Sequence, residues 1–283
     1  MNPIILAVII VAVIGLILGL ILAIASIVFA VPVDEKAVAI EEVLAGANCG
    51  ACGYSGCAGY ASALSQGKCD DCTLCSPGGA DCASAIAEIL GVSADGAAPM
   101  TAVVLCHGTA EKSPSVMNYE GDLSCKTASA LFGGGKSCNF GCLGYGDCEA
   151  ACPFDAIHIN ENGIAEVQAS KCRACKICIK ECPKGIIDLA PLYKQQAVNY
   201  CMNTAKGGAT RKACKVGCIG CKKCENTCQY DAIHVENNKA VVDYSKCTGC
   251  GDCVSVCPAK SIELSTFGKL VAVNASGEAV EAK

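Results

Sequence analysis

Two stretches decide the fold of this chain: residues 172–183 read CRACKICIKECP, and residues 247–258 read CTGCGDCVSVCP. In both, cysteines follow one another at intervals of two, two and three residues, and a proline follows the last cysteine. This is the spacing with which a bacterial-type loop wraps three thiolates around one iron–sulfur cube, while the fourth cysteine ligates a second cube. The two stretches therefore predict paired [4Fe–4S] clusters.

Cysteine dominates the composition, with 27 residues among 283. Small cysteine-dense modules need covalent or metal staples because their apolar cores are thin. The alternatives to clusters are the disulfides of a secreted protein and structural zinc. Disulfide frameworks do not require the repeated intervals, and all-thiolate zinc sites usually consist of two separated cysteine pairs. The net charge of −5 excludes a basic footprint for nucleic acid.

The C-terminal half of the chain is an internal repeat. Asp155–His158 returns as Asp231–His234, and five cysteines of the first copy recur 76 positions later in the second. The matched cysteines are Cys125 and Cys201, Cys138 and Cys214, Cys142 and Cys218, Cys148 and Cys224, and Cys152 and Cys228. Each copy is predicted to be one two-cluster ferredoxin domain. Predicted strands cover residues 101–106, 157–159, 186–189, 233–235 and 262–264, with hairpin turns at 162–163 and 237–238.

The ligands of four clusters follow from the rule that the fourth cysteine of a run belongs to the other cube. The predicted sets are Cys138, Cys142, Cys148 and Cys182; Cys152, Cys172, Cys175 and Cys178; Cys218, Cys221, Cys224 and Cys257; and Cys228, Cys247, Cys250 and Cys253. The first copy lacks one ligand because Tyr145 stands where the second copy has Cys221. Cys138 is the nearest substitute in the sequence.

Another cysteine group precedes the repeat and predicts a fifth cluster. Cys49, Cys52 and Cys57 lie among glycines, which let the backbone approach a cluster and direct amides at its sulfurs. Cys75, in the stretch CSPGG, is the predicted fourth ligand. Residues 58–65 and 83–90 are predicted to be flanking helices, and Asp34 is predicted to cap a short helix before them.

The five sets leave seven cysteines unassigned: Cys69, Cys72, Cys82, Cys106, Cys125, Cys201 and Cys214. Cys106, Cys125, Cys201 and Cys214 could form an additional cluster between the two copies. The alternative is that they are buried apolar thiols. The chain contains no G-x-G-x-x-G that opens a helix after a strand, so it is predicted to have no NAD or flavin site of its own.

The N-terminus predicts a membrane anchor. From Ile4 to Val31 no residue is charged, and about 20 apolar residues suffice for a helix to cross a bilayer. A cleaved signal peptide is the alternative, but it needs a basic segment that Met1-Asn2-Pro3 does not supply. Because low-potential thiolate clusters need a reducing compartment, we expect a single-pass protein of the cell (inner) membrane. Its N-terminus lies outside and its cluster domains lie in the cytoplasm.

The predicted fold class is α+β, with a transmembrane helix, a small helical and loop-rich four-iron domain, and two tandem bacterial-type two-[4Fe–4S] ferredoxin domains. The predicted boundaries are 1–33 for the anchor, 34–98 for the N-terminal domain, 99–196 for a linker strand with the first ferredoxin unit, and 197–266 for the second unit. Residues 267–283 are predicted to be a tail outside the core.

The stretch 46–57, GANCGACGYSGC, followed by CSPGG and the ferredoxin modules, resembles the B subunits of Rnf complexes. These complexes are membrane-bound ferredoxin:NAD oxidoreductases that pump Na⁺ or H⁺. The resemblance covers almost the whole chain and implies that soluble reduced ferredoxin donates electrons, which pass to other membrane subunits carrying the flavins, the ion path and the NAD site. Two alternatives are a polyferredoxin-type subunit of a membrane reductase that does not pump ions and a structural zinc–cysteine scaffold.

Overall fold

The computed structural model describes residues 3–28, 34–92, 99–192, 195–265, 272–273 and 279–280. Its helices are α1 (Pro3–Val28), α2 (Glu35–Val43), α3 (Cys57–Ser65), α4 (Gly79–Leu90), α5 (Cys125–Phe132), α6 (Asp147–Ala150), α7 (Ile177–Glu181), α8 (Gly207–Ala213), α9 (Lys223–Thr227) and α10 (Asp252–Ser255). Its strands are β1 (Met100–Val104), β2 (Ile157–Ile159), β3 (Ala165–Val167), β4 (Ile187–Pro191), β5 (Ala197–Asn199), β6 (Ile233–Glu236), β7 (Lys239–Val242), β8 (Ile262–Leu264), β9 (Ala272–Val273) and β10 (Ala279–Val280).

Helix α1 carries no charged residue along its 26 positions. Over the part of the chain that the structure describes, no helix was found to combine the length and the apolarity of a membrane span. Residues 1–2 and 29–33 of the predicted anchor lie outside the described residues. The transmembrane helix therefore stays a prediction.

Helices α2, α3 and α4 build the N-terminal domain around the buried side chains of Ile40, Tyr60 and Ile86. Asp34 caps α2, since its carboxylate accepts hydrogen bonds from the amides of Lys36 (3.1 Å) and Ala37 (3.3 Å). This satisfies two of the amides that a helix leaves unpaired at its start. The predicted cap and both predicted flanking helices are confirmed.

The two ferredoxin-like units have the same arrangement of strands. In the first unit β1 pairs with β4 and β2 pairs with β3, all antiparallel. In the second unit β5 pairs with β8 and β6 pairs with β7. The predicted hairpins are confirmed, and Asn237 and Asn238 both adopt the left-handed backbone (φ 48° and 63°) that their tight turn requires.

The strand register shows which positions of the two units are equivalent. The Leu105 amide donates to the Ile186 carbonyl, and the Tyr200 amide donates to the Ser261 carbonyl, both at 2.7 Å. Each cysteine that follows is thus at the same point of the fold, so Cys106 corresponds to Cys201. The sequence register had matched Cys201 with Cys125, and that match is wrong in the fold. The chain between Cys106 and Cys138 is longer than its counterpart, and Cys125 lies within this longer segment at the start of α5.

The C-terminal tail is described only at β9 and β10, which pair antiparallel. The other residues of 266–283 lie outside the described residues. The predicted tail boundary therefore stays a prediction.

Candidate metal centres

Cysteines of the first unit line a cavity of about 20 Å³, which we name site A. Its thiols are those of Cys152, Cys172, Cys175 and Cys178. The Ala156 amide points at the Cys152 Sγ, and the Ala102 amide points at the Cys172 Sγ, each at 3.4 Å. The fold thus brings together the four cysteines that the sequence predicted for one cluster, with backbone donors aimed at the sulfurs.

Site E is the counterpart of site A in the second unit. Its cavity also measures about 20 Å³, and it is lined by Cys228, Cys247, Cys250 and Cys253. Gln229, which stands where the other runs have proline, leaves this grouping intact. The predicted set is again brought together.

Site B is a cavity of about 20 Å³ lined by Cys125, Cys142, Cys148 and Cys182. The sequence had assigned Cys138 to this set, but the structure places Cys125 and not Cys138 at this cavity. Cys138 lines a different cavity, and Cys125 takes the position that Tyr145 leaves without a thiol. The correction could not be read from sequence spacing because Cys125 is separated from Cys142 by α5 and the loop after it.

Asp147 holds Cys125 in place. Its carboxylate accepts hydrogen bonds from the amides of Cys125 (2.9 Å) and Lys126 (3.0 Å) and from the Ser124 hydroxyl (3.0 Å). A carboxylate at the first turn of a helix is favoured by the free amides and by the helix dipole. Asp147 therefore anchors the start of α5 against site B.

Site D, in the second unit, consists of Cys218, Cys221, Cys224 and Cys257. Burial raises the pKa of Cys224 to about 11, and the charges of the three other thiols add to the rise. The Cys257 Sγ also lies 3.6 Å from the Ser261 Oγ. The structure thus groups these four cysteines as the sequence predicted.

A further cavity, site C, lies between the units and measures about 20 Å³. It is lined by Cys106, Cys138, Cys201 and Cys214. Three of these were predicted to form an additional cluster together with Cys125. The structure puts Cys138 in the place of Cys125, so the two cysteines exchange roles between sites B and C.

The N-terminal domain has its own cysteine cluster, the N-terminal site. Of the predicted ligands, Cys57 and Cys75 lie close to the buried Cys82. A hydrogen bond with Cys82 lowers the pKa of Cys75 to about 6. Cys52 lies near the Tyr54 side chain, as does Cys69. Cys69, Cys72 and Cys82, which the sequence left unassigned, all pack in the core of this domain.

Cys49 of the N-terminal domain lies within electrostatic range of Cys175 in site A. Burial is the main cause of the raised pKa of Cys175, but the charge of Cys49 contributes to it, which requires the two thiols to be near each other. Cys49 is thus a neighbour of site A as well as a predicted ligand of the N-terminal site.

Buried thiols in these sites hold their protons strongly. Burial raises the pKa of both Cys148 and Cys178 to about 12. Thiols must lose their protons to bind iron, so loading of the sites releases protons. Within the described ranges, no three side chains of His, Cys, Asp or Glu converge closely enough to hold a single metal ion. Four thiols around a cavity with amide donors form a donor set that fits a cluster.

Comparison with known proteins agrees with this donor chemistry. Residues 44–77 match the family described as "Putative Fe-S cluster", and residues 217–261 match the "4Fe-4S dicluster domain". The chain is 44% identical over 262 residues to the B subunit of the Na(+)-translocating ferredoxin:NAD(+) oxidoreductase complex of Acetobacterium woodii, a match that covers 93% of this chain and 78% of that protein. The chain belongs to the B-subunit family of ion-translocating ferredoxin:NAD(+) oxidoreductase complexes.

Other members of the B-subunit family extend the match. The B subunit of the proton-translocating ferredoxin:NAD(+) oxidoreductase complex of Clostridium ljungdahlii is 39% identical over 270 residues, covering 95% of both chains. The B subunit of the ion-translocating oxidoreductase complex of Methanosarcina acetivorans is 37% identical over 242 residues, covering 85% of this chain and 90% of that protein. The expectation that this chain is an iron–sulfur electron-transfer subunit of such a complex, carrying [4Fe–4S] clusters, is confirmed.

Proposed function

We propose that this chain takes electrons from reduced soluble ferredoxin and passes them to the membrane subunits of an ion-pumping ferredoxin:NAD(+) oxidoreductase. When bound, each [4Fe–4S] cluster supplies a position that accepts and releases one electron. The proposed ligands are the thiols of sites A, B, D and E, together with Cys49, Cys52, Cys57 and Cys75 of the N-terminal site. NAD(+) is reduced on another subunit.

The observation that supports this proposal most strongly is that the cysteine sites follow one another through the molecule. Cys49 of the N-terminal domain lies within electrostatic range of Cys175 in site A. Cys178 of site A and Cys148 of site B are buried in the same core cluster of the first unit. A succession of neighbouring thiol groups is the arrangement that electron transfer over a long distance needs.

The second unit provides the surface for the donor. Cys221 of site D and Cys250 of site E are the two exposed cysteines among the described residues. Residues 206–223 contain no acidic residue and carry the exposed basic side chains of Lys206, Arg211, Lys212, Lys215, Lys222 and Lys223. In a chain with a net charge of −5, this basic segment suits an acidic electron donor and speeds its encounter with the exposed clusters.

Helix α1 is proposed to anchor the chain in the cell membrane by a single span, with the N-terminus outside. Its uncharged sequence is long enough for the hydrocarbon layer at 1.5 Å per residue. A chain cut before Asp34 tests the anchor: it should leave washed membranes, whereas the full chain should need detergent. Retention of the shortened chain through its partner subunits alone would contradict the role of α1.

Charge reversal tests the donor surface. In the assembled complex, Lys206→Glu/Arg211→Glu should raise the KM for ferredoxin by about tenfold at low salt and leave kcat unchanged, because only encounter and docking lose attraction. The effect should shrink at high salt as the charges are screened. Lys68→Glu/Lys180→Glu, the same charge change outside the segment, is the matched control. Equal effects of the two double variants would contradict docking on the second unit.

Activity assays on the whole complex distinguish the proposed function from electron transfer in a membrane reductase that does not pump ions. Complex purified with this chain should reduce NAD(+) with reduced ferredoxin and carry Na⁺ or H⁺ into sealed vesicles. Removal of this chain alone should abolish both activities. Ferredoxin-dependent NAD(+) reduction that persists without it would contradict the proposed place in the electron path.

A further inference from the structure

We propose that Lys184 raises the reduction potential of a cluster held in site B, because its positive charge at the wall of this cavity favours the uptake of one electron. The inference rests on the proposed electron-transfer function and concerns a residue that is not a ligand. In the step concerned, site B gains one electron from a neighbouring site, and no bond forms or breaks. The ammonium stabilises the negative charge that this electron adds.

Lys184 belongs to the wall of site B. It lines the same cavity as the four thiols of this site and lies two residues after Cys182. The lysine is half-buried, so water and salt screen its charge less than that of an exposed lysine. Burial lowers the pKa of Lys184, whereas the charges of Cys138, Cys182 and Cys125 oppose the decrease. The ammonium is therefore within electrostatic range of site B.

Two backbone carbonyls hold the ammonium in place. The Lys184 Nζ donates hydrogen bonds to the carbonyl of Gly133 and, at 2.7 Å, to that of Asn139. Gly133 is the C-cap of α5, and the helix dipole favours a cation near the C-terminal end of a helix. A charged lysine is only a donor, so carbonyl partners favour its charged form. The position and the charge of the ammonium are thus fixed by the end of the helix that begins at Cys125.

Asp147 also lines site B and carries the opposite charge. Its carboxylate accepts its three hydrogen bonds at the start of α5, whereas Lys184 donates at the end of this helix. The two side chains therefore act on site B from separate points and do not depend on each other for their position. A substitution of Lys184 alone leaves Asp147 unchanged, so it reveals the effect of the lysine charge.

The turn in which Lys184 lies does not require a lysine. The residues at the second position after the last cysteine of each run are Phe154, Lys184, Tyr230 and Ala259. The turns after Cys182 and Cys257 have the same backbone, since the amides of Gly185 and Lys260 donate to the carbonyls of these cysteines at 3.1 Å and 3.3 Å. Gly185 and Lys260 are also both left-handed, with φ of 58° and 51°. Because aromatic residues and alanine serve the same turn, the lysine is specific to site B.

The second unit offers a matched control, because its lysine lies one residue later in the turn. Lys260 is three residues after Cys257 and is exposed. It carries the same charge as Lys184, but water screens it. Removal of the Lys260 charge should therefore have much less effect on the potential of site D than removal of the Lys184 charge has on that of site B.

EPR spectra recorded during a redox titration of the full-length chain, purified without oxygen, test the inference. The signal that Cys125→Ser removes is assigned to site B. Lys184→Met keeps an unbranched side chain without the charge and should shift the reduction equilibrium of site B about tenfold towards the oxidised form, a decrease of about 59 mV for one electron. Lys184→Arg keeps the charge and should retain the potential of the wild type. Lys260→Met should leave the potential of site B unchanged.

The variants separate a role of the charge from a structural role. An unchanged potential in Lys184→Met would overturn the inference even if the Tm falls, because a lysine that only holds α5 affects stability and not the potential. Equal decreases in potential in Lys184→Met and Lys184→Arg would also overturn it, since the charge would then not be the cause.

Lys184→Gln, which is uncharged but can still donate to a carbonyl, replaces Lys184→Met if that variant loses the signal of site B. Loss of the signal from both uncharged variants would make Lys184 a requirement for cluster loading and overturn its role in the potential. All of these results leave the proposed function standing. A wild type without any cluster signal would overturn the proposed function itself.

Discussion

The two ferredoxin-like units form equivalent cysteine sites, B and D, from different positions of the chain. In the second unit one run supplies three ligands of site D, namely Cys218, Cys221 and Cys224. In the first unit the central ligand is replaced by Tyr145, and Cys125 lines site B instead. A cluster needs a sulfur at a given point in space, and any segment that reaches this point can supply it.

The difference between the units also explains the additional site. The cysteine runs of the second unit supply all four thiols of site D. Cys201 therefore remains at the interface between the two units. The first unit contributes Cys106 at the equivalent position and has Cys125 in its longer segment for site B. The inserted segment thus lets the first unit complete site B and also contribute two cysteines to site C.

The largest effect is expected when the proposed ligand of site B is moved from Cys125 to position 145, which is equivalent to Cys221 of the second unit. Cys125→Ser should lose about four irons per chain. Tyr145→Cys in the same chain should restore them, because it recreates the spacing of Cys218, Cys221 and Cys224. The measurement is iron and sulfide content with the EPR spectrum of the reduced protein.

The reciprocal change sharpens this test. Cys221→Tyr in the second unit should lose about four irons with no substitute available. If Tyr145→Cys leaves the iron content of Cys125→Ser unchanged, Cys125 is not the ligand that replaces the missing cysteine.

The next largest effect is expected on stability, when two glycines at equivalent turns of the two units are replaced by alanine. Gly144 and Gly220 both have left-handed backbones, with φ of 79° and 65°. A Cβ at Gly144 would lie 2.5 Å from the Gly163 carbonyl oxygen, whereas one at Gly220 would lie 3.0 Å from that of Asn238. Alanine costs roughly 1 kcal/mol at each for the backbone conformation, and overpacking adds roughly 1–3 kcal/mol at Gly144.

Thermal unfolding of Gly144→Ala and Gly220→Ala measures this difference directly. Gly144→Ala should lower the Tm more than Gly220→Ala does. Equal decreases in Tm would show that the first turn relaxes and that its close approach is not a constraint.

A smaller effect is expected at the carboxylate that anchors Cys125. Asp147→Ala removes the acceptor for two amides of α5 and should cost about 1 kcal/mol of stability. It should also make the iron of site B easier to remove with a chelator. Lys223 occupies the equivalent position in the second unit, so Lys223→Ala is the matched control. Chelation at the same rate in both variants would contradict the anchoring role of Asp147.

The smallest effect is expected from an ion pair that occurs at the equivalent position in each unit. Asp155 pairs with Lys171 at 2.8 Å, and Asp231 pairs with Lys246 at 2.9 Å. Each lysine lowers the pKa of its aspartate. The stabilisation is therefore present at neutral pH and is lost as the pH falls through the lowered pKa.

Both pairs are exposed, so Lys171→Gln and Lys246→Gln should lower the Tm slightly and equally. The decrease should vanish near 1 M salt, where charges are screened over about 3 Å. A decrease in Tm that persists at high salt for only one of the two variants would show that the ion pairs are not equivalent.

The sequence predicted the elements of both units well because their signals are local. Short apolar segments after each cysteine run became β2, β4, β6 and β8, and the fixed intervals of the runs grouped the thiols of sites A, D and E. The roles of Cys125 and Cys138 could not be predicted in the same way. Their assignment depends on the length of the segment after Cys106 and on the strand register, which bring distant positions together only in the folded chain.

The N-terminal site shows a similar limit. The stretch CSPGG predicted Cys75, but the nearness of Cys82 depends on how α3 and α4 both pack against α2, which the spacing of cysteines does not reveal. Both limits concern thiols that converge from separate elements.

Iron and acid-labile sulfide in full-length chain, prepared in the absence of oxygen, test the central claim most directly. The five proposed cluster sites predict at least about 20 irons and 20 sulfides per chain, with an EPR spectrum of several interacting clusters after reduction. A colourless protein that contains zinc without sulfide, or whose cysteines are joined as disulfides, would contradict the claim.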